Sequence, residues 1–188
     1  TSTDMLALTL ELCCAVGQGR PGENCLCSEP QILSVVTAFR DLAGIDLDRL
    51  LPSVVSSQGT AAAEDAEREA FARLRNAVPS IRATNFRDAF HELLVSRVEP
   101  QLPAGLVVLK DYPSLIPALA RTAADSRFRD RWELYADGIE LCNTYAELTD
   151  PQALQSLMTS EAREAGLPEP PKHPFGGPLP ACSGIALG

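Results

Sequence analysis

One stretch constrains the fold more than any other: RWELYADGIELCNTYAELTD, Arg131 to Asp150. Arg131 to Ala136 alternates with period two, Asp137-Gly138 is a two-residue turn signal, and Ile139 to Tyr145 reads as the return strand. The turn pairs Tyr135 with Glu140 and brings Glu133 close on the diagonal. Side chains of equal parity share a face, so Glu133 and Glu140 project to one side. Two neighbouring carboxylates repel unless a cation or a proton sits between them. Mg²⁺, held by one or two carboxylates plus substrate phosphates, is the natural partner. Asn143, Tyr145 and Glu147 form a second set: an amide, an aromatic wall and an anion, suited to a ligand bearing an ammonium group. Strict alternation puts this second set on the face opposite Glu140, and a bulge near Cys142 is needed to gather all five. By residue type alone the hairpin reads as a solvated edge with ordinary surface carboxylates.

Around the hairpin the pattern is mixed. Met5 to Val16 is apolar, and its periodicity does not separate helix from buried strand. Pro30 stands where a helix can start, and QILSVVTAFRDLAG follows with a helical pattern that ends at Gly44. Ser56 to Thr60 is a polar break before a helix over Ala61 to Val78, rich in Ala, Glu and Arg. Asn85 is a suitable N-cap for the next helix, with Asp88 in its first turn and Pro100 as its stop. Residues 30–100 thus read as a helical insertion. Leu106 to Leu109 is a short apolar strand, Pro151 to Ala165 a helix closed by Gly166, and Ser183 to Gly188 a last strand. The expected class is α+β: an antiparallel sheet with helices segregated from it.

Composition excludes some functions. A net charge of −9 argues against a surface built to hold RNA or DNA, which needs clustered Lys and Arg. No apolar run approaches a membrane span, and Thr1-Ser2-Thr3-Asp4 does not open a signal peptide. The first residue is not Met, so the chain reads as a stretch of a longer protein. Six cysteines are too sparse for a disulfide scaffold, which suggests reduced thiols in the cytoplasm. Cys13, Cys14, Cys25 and Cys27 lie close together but lack paired CxxC spacing, so packing and loop positions are preferred to a zinc site. His91 in a helix and His173 in a Pro-rich loop have no partner acid in view, and neither reads as a catalytic base. Lys110-Asp111-Tyr112 follows a strand and is a weak candidate for lining a cleft.

The segment GIELCNTYAELTDP, Gly138 to Pro151, resembles the lysine-site segment of class II lysyl-tRNA synthetases and of the elongation factor P–lysine ligases related to them. Their pattern is close to G-[IV]-E-[LI]-x-N-x-[FY]-x-E-L-[TN]-D. RWELY is similar to the preceding RFE[LV][YF], and CSGIALG, Cys182 to Gly188, to the start of the third class II signature. AFRDLAGIDLDRL, Ala38 to Leu50, and FRDAFHELLVSRVEP, Phe86 to Pro100, look like the ligase branch. The likeness is strong over 131–150 and looser over the rest of 30–188.

This resemblance implies a single partial catalytic domain over 1–188, with a class II synthetase-like antiparallel sheet flanked by helices. It implies that Glu133 and Glu140 hold Mg²⁺ and the ATP phosphates. Asn143, Tyr145 and Glu147 would hold the amino acid, with Glu147 facing its side-chain ammonium, and Gly184 and Ala186 would line the pocket floor. Ala186 favours the ligase branch, where a small residue bears on the choice of α- or β-lysine. The implied reaction is attack of the lysine carboxylate on the ATP α-phosphate, then transfer of the acyl group to a lysine of elongation factor P. A homodimer is the implied assembly.

The match also has departures. Class II enzymes carry an early dimer-interface signature and two Arg residues that contact ATP, and this chain contains neither the signature nor those two. Thr144 and Ala146 depart from the usual small and polar residues, and PKHPFGGPLPACSG runs where a helix is usual. Losing one preorganised group in such a site costs on the order of a hundredfold in rate. An inactive paralogue serving as a ligand- or protein-binding module, and a tRNA-charging fragment, are the alternatives.

Overall fold

The computed structural model describes residues 2–17, 26–53, 60–171 and 180–187. Helix α1 spans Ser2–Gly17, strand β1 Gln31–Ser34, α2 Val35–Ala43, and the single turn α3 Leu47–Leu50. Next come α4 Ala61–Ala77, α5 Phe86–Leu93, a π-helical turn Leu94–Val98 and a 3-10 turn Glu99–Gln101. Strands β2 Leu106–Pro113, β3 Phe128–Ala136 and β4 Ile139–Ala146 follow, then α6 Pro151–Glu164 and β5 Ser183–Leu187. The class is α+β, with one five-stranded sheet in the order β1-β2-β3-β4-β5. All neighbouring strands are antiparallel except β1 and β2.

That parallel pair corrects the expectation for residues 30–100. The helix does not start at Pro30. Gln31–Ser34 is a strand paired with Val107–Lys110, and the helix begins only at Val35. The Ser34 side chain accepts from the Thr37 amide at 3.1 Å, so this residue ends the strand and caps the helix. Parallel neighbours need a long crossover, and the helices from α2 to α5 are that crossover. Local signals hold elsewhere. Gly44 closes α2 at φ 70, Asn85 caps α5 through the Asp88 amide at 2.8 Å, and Asp150 caps α6 through Ala153 at 2.7 Å. Asp137 and Gly138 take φ 48 and 80, the left-handed pair that a tight hairpin turn demands.

The two faces of the sheet bury different layers. Val107, Leu109, Tyr112 and Tyr135 pack with Val35, Phe39, Leu74, Phe86 and Phe90 of the crossover helices. Phe39 and Phe90 stack at 5.0 Å. On the other face Leu106, Val108, Trp132, Leu134 and Cys142 meet Met5, Leu6, Leu10 and Cys13 of α1. Helix α1 also carries Leu8, Leu12 and Val16 exposed on its outer side. Apolar residues on both sides explain why its periodicity was uninformative.

The cysteines depart from the expectation of free thiols: Cys14 at the end of α1 and Cys27 are joined as a disulfide, with Cα atoms 4.6 Å apart. Cys25 and His173 lie outside the described residues. Among the described residues no helix is long and apolar enough to cross a membrane.

Candidate functional site

Two irregularities of register assemble the site. Between β3 and β4, Leu134 pairs with Cys142 but Tyr135 pairs with Glu140, which leaves Leu141 as an extra residue in β4. This is the bulge near Cys142 that gathering both sets of residues requires. It flips parity along β4, so Glu140 at one end and Asn143 and Tyr145 at the other share a face. Between β2 and β3, Lys110 pairs with Trp132 but Tyr112 pairs with Arg129. Asp111 takes φ 61 there, a conformation Asp tolerates better than most residues, and the shift turns Tyr112 to the face of Leu109 and Glu133.

Cross-strand pairing then arranges the face in rows. Arg131, Tyr145 and Gly184 form one row, and Glu133, Asn143 and Ala186 the next. Glu147 lies just beyond β4, its amide bonded to the Cys182 carbonyl at 3.0 Å. A Cβ on Gly184 would meet the Glu147 carboxylate and force it to shift, so the glycine leaves room for that acid in its present position. Burial raises the Glu147 carboxyl above its ordinary pKa.

Glu133 is the hub, 4% exposed. Its Oε1 accepts from Arg131 Nη2 at 2.5 Å and from Asn143 Nδ2 at 3.3 Å. Its Oε2 accepts from the Tyr135 hydroxyl at 2.7 Å and from the Tyr112 hydroxyl. A carboxylate offers about four lone-pair sites, and all are taken. Burial opposes the charge on Arg131, but Glu133 and the neighbouring tyrosines outweigh it and raise its pKa. The guanidinium lies 4.3 Å from the Tyr112 ring centroid and 5.4 Å from that of Tyr145. Tyr145 therefore already faces a cation of the protein itself. Burial, with Glu133 close by, pushes the Tyr112 and Tyr135 hydroxyls well above the usual phenol pKa, which keeps them proton donors.

Glu140 differs. Its side chain is exposed and makes no hydrogen bond among the described residues. Partial desolvation and then the Glu133 charge raise its carboxyl pKa. As oxygen donors for a hard cation such as Mg²⁺ the two acids differ: Glu140 offers an unengaged carboxylate, whereas Glu133 could contribute an oxygen only if one of its four donors left. No group of three or more His, Cys, Asp or Glu forms a metal cage among the described residues.

Sequence reasoning missed three members of this cluster, Arg131, Tyr135 and Glu99, and reached Tyr112 only as a weak candidate for lining a cleft. Arg131 and Tyr135 share the parity of Glu133, and that signal was available. Tyr112 reaches the site only through its bulge. Glu99, in the turn after α5, lies 3.2 Å from the Tyr135 hydroxyl, its carboxyl pKa raised first by burial. His91, which does not read from sequence as a catalytic base, is half-buried on α5, edge-on to Phe90 with centroids 5.4 Å apart. Desolvation and then the Arg131 charge lower its pKa.

Fold and face together define an α+β domain whose mostly antiparallel sheet presents one polar, charge-paired face. No family model matches the chain. Its curated relatives include the elongation factor P–(R)-β-lysine ligase of Salmonella gallinarum, 32% identical over 133 residues, covering 62% of this chain and 41% of that protein. The ligase of the same name from Proteus mirabilis is 36% identical over 115 residues, and that from Vibrio cholerae 37% over 116, each covering 54% of this chain and 35% of the relative. The chain is therefore a partial homologue of these ligases, spanning 41% or less of the length of these three.

Proposed function

We propose that this chain supplies the amino-acid-binding part of an ATP-dependent ligase that activates lysine or β-lysine as an adenylate and passes it to a lysine of elongation factor P. The β4 bulge is the observation that carries this reading, because it sets a free carboxylate, Glu140, on the same face as the Asn143–Tyr145 set. Glu140, and Glu133 after it sheds a donor, would hold Mg²⁺ on the ATP phosphates, where the ion's charge neutralises the phosphate oxygens. Glu147, half-buried against Gly184, would receive the side-chain ammonium; an anion in a drier setting attracts a cation more strongly. Asn143, itself bonded to Arg131 and Glu133, would orient the backbone end of the amino acid. The related ligases named above support the acceptor, elongation factor P.

Calorimetric titration of the chain with L-lysine, (R)-β-lysine and a non-hydrolysable lysyl-adenylate analogue tests this. We expect the analogue to bind tightest and Glu147→Gln to abolish binding. Absence of binding to all three ligands rules out the lysine-site assignment.

A further inference from the structure

A tyrosine hydroxyl carries one proton. Tyr135 nevertheless lies within hydrogen-bond distance of two carboxylates, 2.7 Å from Glu133 Oε2 and 3.2 Å from Glu99 Oε1. The proton serves one at a time, and the shorter contact shows that Glu133 holds it here. Glu133 Oε2 also accepts from Tyr112, and Oε1 from Arg131 and Asn143, so a cation reaches this carboxylate only if a donor withdraws.

The four donors are not equally able to leave. Arg131 is buried, and Glu133 is the carboxylate that pairs its charge. Tyr112 is 1% exposed, and Glu133 is the acceptor its hydroxyl has. Asn143 is held from its other side by Arg131 Nε, which donates to its Oδ1 at 3.3 Å. Tyr135 has a second acceptor already in place. Its cross-strand partner is Glu140, the carboxylate that makes no hydrogen bond among the described residues.

Glu99 is delivered by unusual local structure. The helix after Leu93 widens into a π turn over Leu94–Val98 and then tightens into a 3-10 turn at Glu99–Gln101. Leu94 and Val98 are buried in the helical core, and Gln101 ties the turn back to the Leu42 carbonyl at 2.8 Å. π turns are rare and are frequently found at functional sites.

The geometry points to a hydrogen-bond exchange: Tyr135 donates to Glu133 in this structure and would turn to Glu99 when Mg²⁺–nucleotide binds at Glu133. Glu99 is thus a positioning residue, acting through Tyr135 to make Glu133 available. The hydroxyl rotates and keeps its proton. This rests on the nucleotide-binding reading above and adds to it a residue outside the hairpin.

The test titrates the 188-residue chain, labelled with ¹³C at the tyrosine ζ carbon, with Mg²⁺ and the non-hydrolysable ATP analogue AMP-PNP. Binding should shift the Tyr135 resonance in the unmodified chain. Glu99→Ala should weaken Mg²⁺-dependent AMP-PNP binding about tenfold, the order of one lost hydrogen bond. Glu99→Gln keeps an acceptor oxygen and should retain most of the affinity. In a Tyr135→Phe background the Glu99→Ala loss should vanish, because the two residues act as one unit. A loss that persists there, or an affinity that Glu99→Ala leaves unchanged, overturns the exchange. AMP-PNP binding with no response from Tyr135 overturns the exchange and leaves the nucleotide reading standing. No AMP-PNP binding by the unmodified chain removes both.

Discussion

Glu133 and Leu134 are neighbours on β3, and they face two different chemistries. Leu134, fully buried, meets Trp132, Val108, Cys142 and helix α1 in an apolar layer. Glu133, 4% exposed, meets two tyrosines, an arginine and an asparagine. The apolar face is stabilised by area and shape, which tolerate modest repacking. Around Glu133 every lone pair has a named donor, and removing one group strands several others. One sheet thus combines a forgiving foundation with an exacting working surface.

The comparison breaks most sharply at Glu133 itself. Glu133→Ala leaves the buried Arg131 charge without its partner and should cost about 3–5 kcal/mol in chemical denaturation. It should also abolish lysine binding. Leu134→Ala, one residue away, should cost about 2–5 kcal/mol through lost burial and a cavity. Lysine affinity should survive in that variant at temperatures where it is folded. If Leu134→Ala also abolished lysine binding in the folded state, the two faces would not be separable in the way described.

A smaller effect sharpens the polar side. Gly184→Ala places a Cβ on the Glu147 carboxylate and should push that acid aside. Lysine binding should weaken roughly tenfold to a hundredfold, the worth of one charge-assisted hydrogen bond, while the melting temperature hardly moves. Retained affinity in that variant would remove Glu147 from the site.

The smallest effect concerns pH. Burial lowers the His91 pKa below its ordinary 6.5 in the folded chain, so the unfolded chain takes up the proton more readily. Stability from this residue is therefore complete above pH 6.5 and falls as pH drops below it. Denaturant midpoints measured on either side of that pH should show the fall, and His91→Gln should flatten it. An unchanged slope would place the pH dependence in another group.

Much of the local structure was legible because its causes are local. Asp137-Gly138 requires left-handed backbone and so fixed the turn, while Asn85, Asp150 and Gly44 marked helix ends through caps that each element carries itself. Gln31–Ser34 was misread because its strand state comes from a partner more than seventy residues away, Val107–Lys110, and not from its own sequence. The disulfide between Cys14 and Cys27 was missed for a related reason: their approach depends on how α1 docks on the sheet.

The candidate site divides along the same line. Sequence alone determined the hairpin, its turn, and the pairing of Tyr135 with Glu140, because a two-residue turn fixes register over its first pairs. It showed that a bulge was needed without showing that one exists. Tertiary structure decided which side chains meet. One extra residue, Leu141, flips every later position of β4, and the shift at Asp111 turns Tyr112 inward. Packing of the crossover helices brought Glu99 to Tyr135 and left Glu140 free while closing around Glu133. Residue types are inherited from the chain, but side-chain facing has a period of two, so a shift of a single residue, settled only by long-range packing, reverses it.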